Sequence, residues 1–258
     1  MSVRTAQSRE RGRAPLPLTS RRDAWWIKPL LTVIVLGVFG LYGLFRAFEN
    51  QYFEYGPYLA PFYSPHLPFK LNLFGWNVSP AIYILIFPLS FRLTCYYYRL
   101  AYYRAFFWDP PACAVEEPLK RSGYTGERRF PLVLQNLHRY AFYAAVVIFF
   151  ILVFDTIKSF FWQDGFHVGL GSLIFVANII PLGLYTFSCH SFRHLIGGRV
   201  NCYSCSLASR TRYGVWKQVS FLNARHSLYA WISLFSVMIA DLYVRFLAAG
   251  TIQDFRFF

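Results

Sequence analysis

The sequence predicts an all-α integral membrane protein, a bundle of five transmembrane helices with the amino terminus cytoplasmic and the carboxyl terminus outside. Three observations carry this. The chain of 258 residues is 56% hydrophobic and 21% aromatic, too apolar for one soluble domain with a polar shell. Its apolar runs are long and nearly free of charge, and a span needs about 20 residues, so the length allows five or six spans with short loops. Lys and Arg gather in alternate loops, the pattern of a multi-pass topology.

Residues 1–24 are polar, basic and Pro-containing, and are expected to form a mobile segment ahead of a membrane domain over residues 25–258. The first apolar run follows an Arg-rich leader but is long enough to span, so it is expected to be retained. Span 1 is predicted over about 27–48, with Trp25 and Trp26 as interface anchors. Residues 49–78 hold Pro57, Pro61, Pro65 and Pro68 among many aromatics, which predicts a structured outer loop on the membrane surface. Span 2 begins near Pro80, a good first-turn residue, and runs to about 103. Residues 104–130 read as a polar loop. Spans 3, 4 and 5 are predicted over about 131–154, 169–192 and 222–249. Neither an internal repeat nor a low-complexity tract is evident.

Orientation follows from the cations. The segment up to Lys28 has seven Lys and Arg, residues 92–129 have seven, and residues 193–225 have six with no acidic residue. The opposite loops hold Lys70 and Lys158, and the end of the chain adds Arg245 and Arg256. The net charge of +14 therefore sits in loops beside apolar spans. That distribution argues against nucleic acid and for anionic lipid head groups or an acidic partner face.

With that topology, all five cysteines and four of the six histidines lie at or near the cytoplasmic face; His66 and His167 fall outside. Cys95 is near the end of span 2, His138 near the start of span 3, Cys189, His190 and His194 close span 4, and His226 opens span 5. A helical turn rises about 5.4 Å, so these groups share one depth. Ligand-type side chains inside bilayers are rare and usually functional. Any one of them alone is more often a packing cysteine or a polar anchor; together, on four helices, they point to a metal.

Two cysteines with two histidines match a Rieske-type [2Fe–2S] centre. They also suit tetrahedral structural zinc, and two histidines alone could hold a b-type haem. Disulfides are uncommon in the cytoplasm, so the thiols are expected to be free or ligating. Cys202 and Cys205 form a CxxC pair, a possible zinc pair with His190 and His194. Cys113 is a loop thiol and an alternative ligand.

Arg92, Arg99 and Arg104 descend the end of span 2 amid Tyr96, Tyr97, Tyr98, Tyr102 and Tyr103. An aromatic belt explains most of this. The functional reading is the rim of a quinone pocket formed by Arg92, Tyr96, Arg99, Tyr103, Trp108, His194 and Trp231, with Trp216 as further lining. Asp155 and Asp241, near the outer ends of spans 3 and 5, are candidates for a proton path; helix-end solvation is the simpler account.

The stretches FRLTCYYYRLAYYRAFFWDPPACAV, RRFPLVLQNLHRY, YTFSCHSFRHLIGG and FLNARHSLYAW resemble the membrane-anchor subunit of actinobacterial-type succinate dehydrogenase, a cytochrome b-like subunit of succinate:quinone oxidoreductase. The similarity extends over roughly residues 25–258. It implies a five-helix anchor in the bacterial plasma membrane that docks an iron–sulfur subunit and a flavoprotein subunit on its cytoplasmic face. It further implies passage of electrons from succinate to a quinone, menaquinone among them, as part of respiratory complex II. Some members hold a Rieske-type [2Fe–2S] cluster where relatives carry haem b. The resemblance places the ligands among the residues above, with Cys95, His138, Cys189 and His226, one per helix, as the preferred set and His190, His194 and Cys113 as alternatives.

Spans 1 and 2 contain no histidine, unlike the two-haem anchors of related enzymes. That departure favours an arrangement with thiolates and leaves one haem b open. A zinc-stabilised scaffold is the competing class. A solute transporter is weaker, with no repeat and no paired broken helices. No nucleotide fingerprint, nucleophile arrangement or dicarboxylate-binding signature is evident, so enzyme activity is expected only within a complex, with no catalytic residue of its own.

Overall fold

The computed structural model describes residues 19–67, 71–73, 76–117, 128–130 and 132–257. The expectations for residues 1–18, for Pro68 and Lys70, for the middle of the 104–130 loop and for Pro131 lie outside the described residues.

Among the described residues, four helices are long and apolar enough to cross a membrane: Ile27–Glu49, Leu132–Lys158, Leu170–Phe187 and His226–Ala248. A further pair, Pro80–Thr94 with Tyr96–Phe107, is as apolar but bent by 79°, and counted as one span it brings the total to the five expected.

Helix α1 covers Ile27–Glu49. The outer loop that follows is built from two hairpins, β1 (Glu54–Tyr55) with β2 (Tyr58–Leu59) and β3 (Leu71–Leu73) with β4 (Trp76–Val78), both antiparallel. Helix α2, Pro80–Thr94, starts where Ser79 caps it and Pro80 occupies the first turn. It ends at Cys95, whose backbone is extended at φ −67° and ψ 131°. Helix α3, Tyr96–Tyr102, continues into a π-helical turn over Tyr103–Phe107. Span 2 is thus not the continuous helix expected over 80–103. Pro88 lies inside α2 without ending it. The break comes instead where Arg92 and Tyr98 both turn inward, onto each other and onto the Ala230 carbonyl.

Span 3 opens as a 3-10 turn over Leu132–Leu137 and becomes helix α4 at His138, running to Lys158. A third hairpin, β5 (Phe161–Trp162) with β6 (Gly165–Phe166), joins it to helix α5, Leu170–Phe187. Span 4 ends there, short of the expected 192. Cys189 again has extended geometry, φ −62° and ψ 144°, and caps the separate helix α6, His190–Gly197. Helix α7, Leu207–Asn223, occupies a stretch read as a basic loop, and Ser206 caps it. Helix α8, His226–Ala248, is the last span.

The chain packs as two units, Met1–Val35 with Leu100–Tyr124 and Leu36–Arg99 with Thr125–Phe258. In the first, Arg21 donates to the Cys113 carbonyl at 2.7 Å and Trp25 meets Trp108 edge-on at 6.5 Å. Residues on both sides of position 24 thus pack in one unit. In the second, α2 packs on α4, α4 on α5, and α5 on α8.

The outer end of the second unit contains buried charge. Asp241 is fully buried and accepts from Tyr42 Oη at 2.6 Å, Arg245 Nε at 2.6 Å and the Phe62 amide at 3.3 Å. Asp155 is buried against Ser64 Oγ. Helix-end solvation is therefore replaced by internal pairing at both carboxylates. His66 stacks on Phe53 and His167 lies 3.2 Å from Asp164.

Candidate metal centre

Each of the four preferred ligands sits at a backbone discontinuity. Cys95 and Cys189 are the extended residues where helices end, and His138 and His226 are the first residues of α4 and α8. A helix end frees its side chain from the packing stripe, so the four can turn inward together. Cys95, Cys189 and His226 are buried, at 2%, 1% and 2% exposure.

They meet as two cysteine–histidine pairs. His226 Nε2 lies 3.5 Å from Cys95 Sγ, and His138 Nε2 lies 3.1 Å from Cys189 Sγ. All four line one cleft of about 690 Å³, together with Thr94, Tyr96, Tyr97, Arg99, Gln135, Asn136, His190, Ser191 and Asn223. The other ring nitrogens are held from behind: Thr94 Oγ1 is 2.8 Å from His138 Nδ1, and Ser188 Oγ is 2.7 Å from His226 Nδ1. Aromatic rings fix the planes. Phe91 stacks on His138 at 5.0 Å and 4°, and Tyr185 on His226 at 4.9 Å and 21°. Each pair puts a soft and a borderline donor in one place, the chemistry of zinc and iron–sulfur sites. Among the described residues, no three His, Cys, Asp or Glu side chains converge as a single ion requires.

The other expected residues scatter. His190 is exposed and lines the cleft. His194 faces Arg139 at 3.2 Å on the exposed side of α6. Cys113 is an exposed thiol of the first unit. Cys202 and Cys205 are joined to each other by a disulfide with Cα atoms 5.7 Å apart. Neither offers a thiolate, which corrects both the zinc pair and the expectation of free thiols. Compartment gives only a base rate, whereas this turn brings the two within bridging distance.

Of the expected quinone rim, Tyr96 and Arg99 line the cleft, with the guanidinium 5.0 Å over the ring. Arg92 lies deeper, donating to Tyr98 Oη, the Ala230 carbonyl and Ser233 Oγ. Trp231 sits 6.0 Å from Tyr98. Tyr103 and Trp108 belong to the first unit, where Tyr103 packs on Phe107. Trp216 lies under the Arg193 guanidinium at 4.8 Å, on α7. Arg92, Phe91 and Tyr185 also close one end of an apolar groove of about 340 Å³ between α1, α2 and α4. One aromatic layer thus separates that groove from the imidazoles.

Thr94, Ser188, Phe91 and Tyr185 were missed. The signal was present for two of them, since a hydroxyl residue directly precedes each buried cysteine.

The chain matches the family described as actinobacterial succinate dehydrogenase subunit SdhC over residues 27–250. Among solved structures it is similar to a chain of the Mycobacterium smegmatis Sdh1 complex in the apo form. The two are 44% identical with a TM-score of 0.83, over 97% of this chain and 98% of that one. No curated protein matches it.

Proposed function

The chain belongs to the actinobacterial SdhC family of succinate dehydrogenase subunits, a multi-pass subunit of the bacterial inner membrane, and on that premise we propose that its cysteine–histidine cleft holds a Rieske-type [2Fe–2S] centre serving quinone reduction. The partners are the iron–sulfur and flavoprotein subunits of the dehydrogenase, docked on the basic face, and a quinone. One observation carries the cofactor assignment: two thiols and two imidazoles, from four separate helix ends, face one another in pairs across a single cleft.

The donor set suits the group. Rieske centres take two cysteines on one iron and two histidines on the other; that composition is present, with each cysteine here in contact with a histidine and not with the other cysteine. When bound, the centre would supply a one-electron carrier between the soluble subunits and quinone. The chain's own residues do the rest. Cys95 and Cys189 give up their thiol protons on metal binding, while Phe91, Tyr97 and Tyr185 wall the imidazoles. Tyr96 and Arg99 offer hydrogen-bond donors at the mouth of the cleft, where a quinone carbonyl needs them. The groove ending at Arg92 is apolar enough to take an isoprenoid chain.

The test is metal and sulfide analysis of the purified complex, with optical and paramagnetic-resonance spectra. We expect iron and acid-labile sulfide beyond the soluble subunits' share. His138→Ala combined with His226→Ala should abolish quinone reduction and leave succinate oxidation by an artificial acceptor intact. A Soret band lost in the same variant would install haem b instead. Zinc without visible absorbance would make the site structural. Normal quinone turnover in the double variant would end the assignment.

A further inference from the structure

Among the described residues, Arg92 is a buried cation with no anion beside it. It lies in a stretch, residues 80–108, that contains neither Asp nor Glu. Its hydrogen bonds go to Tyr98 Oη at 2.6 Å, the Ala230 carbonyl at 3.2 Å and Ser233 Oγ at 3.1 Å, all neutral acceptors. The membrane-spanning helices hold three carboxylates, Glu49, Asp155 and Asp241, and all sit at the outer end. Glu49 and Asp241 are taken by Arg46 and Arg245, and Asp155 by Ser64. Asp241 stands eight residues beyond Ser233 on α8, about 12 Å along the axis.

An ion of this kind is costly in a bilayer and marks function by default, with its counter-charge to be named. Neutral acceptors and rings solvate a guanidinium without neutralising it. What Arg92 touches locates the missing charge. The guanidinium stands 4.8 Å from the centre of the Tyr185 ring, and that ring stacks on His226 at 4.9 Å. His226 Nε2 in turn faces Cys95 Sγ, and the field of Arg92 reaches both residues. A second donor stands at the same place. Tyr185 is 2% exposed, and its Oη has no hydrogen-bond partner among the described residues. A wall against the imidazole does not require that hydroxyl, since Phe91 stacks on His138 without one. The space behind the cleft thus holds a cation and an unpaired donor, and lacks an anion.

We propose that Arg92 is the counter-cation of the metal centre, a positioning residue that holds a fixed positive potential behind Cys95 and His226. This rests on the cluster reading above. Metal-bound thiolates carry the negative charge that the protein lacks here, and one further negative charge arrives with the electron. A fixed cation favours the reduced form, so it raises the midpoint potential. At about 10 Å and an effective dielectric of about 20, a unit charge is worth about 10-fold in that equilibrium.

The experiment is a redox titration of the membrane centre, followed by paramagnetic resonance, in the whole purified complex after quinone extraction. Arg92→Gln, which removes the charge and keeps an N–H donor, should disfavour reduction about 10-fold, or about 59 mV for one electron, with iron and sulfide content unchanged. Arg92→Lys keeps the charge and should stay near the parent potential. Ser233→Asp leaves Arg92 in place and sets a carboxylate beside it, so it should lower the potential as well; it serves where Arg92→Gln does not assemble. Tyr185→Phe removes a hydroxyl and no charge, and should move the potential less. An unchanged potential in Arg92→Gln and Ser233→Asp, or equal falls in Arg92→Gln and Arg92→Lys, would overturn the proposal. So would a larger fall in Tyr185→Phe than in Arg92→Gln, which would assign the effect to the hydroxyl. A fall that appears only when quinone is restored would also overturn it, by putting the missing anion in the apolar groove. Each of these results leaves the cluster in place. A wild-type complex without iron and sulfide beyond the soluble subunits' share removes the cluster reading and this inference with it.

Discussion

The two ends of the bundle bury polar groups in opposite ways. At the outer end Asp241 and Arg245 are 0% and 2% exposed, and their contact is extended by Glu49, 2.9 Å from Arg245, and by Arg46, 2.6 Å from Glu49. Two carboxylates meet two guanidinium groups, and Tyr42 and the Phe62 amide add hydrogen bonds to Asp241. The charges compensate one another. At the basic end buried Cys95, Cys189 and His226 lie with half-buried His138, and the closest partner of each sulfur is a ring nitrogen. The contrast teaches that burial of polar groups is not itself a sign of a site. At the outer end carboxylates face guanidinium groups, although Arg46 Nε and Arg245 Nη2 are left without partners; at the basic end thiols and imidazoles line a common cleft.

That contrast can be broken in order of expected effect. Cys95→Ser with Cys189→Ser should eliminate the membrane cofactor's spectrum entirely while the complex still assembles; a retained spectrum would move the site elsewhere. Next comes Asp241→Ala, which leaves Arg245 buried without its nearest counter-charge. Breaking a buried pair costs about 3–5 kcal/mol, so the complex should lose heat resistance sharply, yet the fraction that survives should keep its cofactor. Cofactor loss in that variant would join the two ends into one functional unit. Asp241→Leu with Arg245→Met should recover much of the lost heat resistance, because it removes both charges together. A smaller loss is expected for Ser64→Ala, which leaves Asp155 with an unmet hydrogen bond at a cost of about 1–3 kcal/mol. The smallest belongs to Cys202→Ser with Cys205→Ser. That variant should leave metal content and quinone reduction as they were, and any zinc lost from it would restore the ligand role that the disulfide excludes.

Much of the fold was legible from local composition. Span 1 and span 5 were placed to within a few residues, since the apolar run itself defines what enters hydrocarbon. The breaks were not legible. Pro88 and Pro181, the residues that punctuate a helix by rule, lie inside α2 and α5, while the chain turns at Cys95 and at Ser188–Cys189, which carry no breaker. What turns it there is contact with distant side chains. Arg92 reaches Ser233 and the Ala230 carbonyl, and the Asn223 amide holds the Ser188 carbonyl. Helix α7 was missed for a related reason: its basic composition fitted a cytoplasmic loop, and its packing is supplied by α6, against which Trp216 lies close to Gly197.

Depth alone grouped Cys95, His138, Cys189, His190, His194 and His226, and could not say which of them would meet. His194 was as good as His226 by that criterion, and only its position on the exposed side of α6 sets it apart. The sequence alone determined which segments are apolar enough to cross a membrane and which end of them gathers the thiols and imidazoles, because transfer into a bilayer depends on each segment's own side chains. Tertiary structure decided where helices stop and which sulfur faces which nitrogen. Those depend on hydrogen bonds between residues 35 to 141 positions apart, which no local pattern encodes.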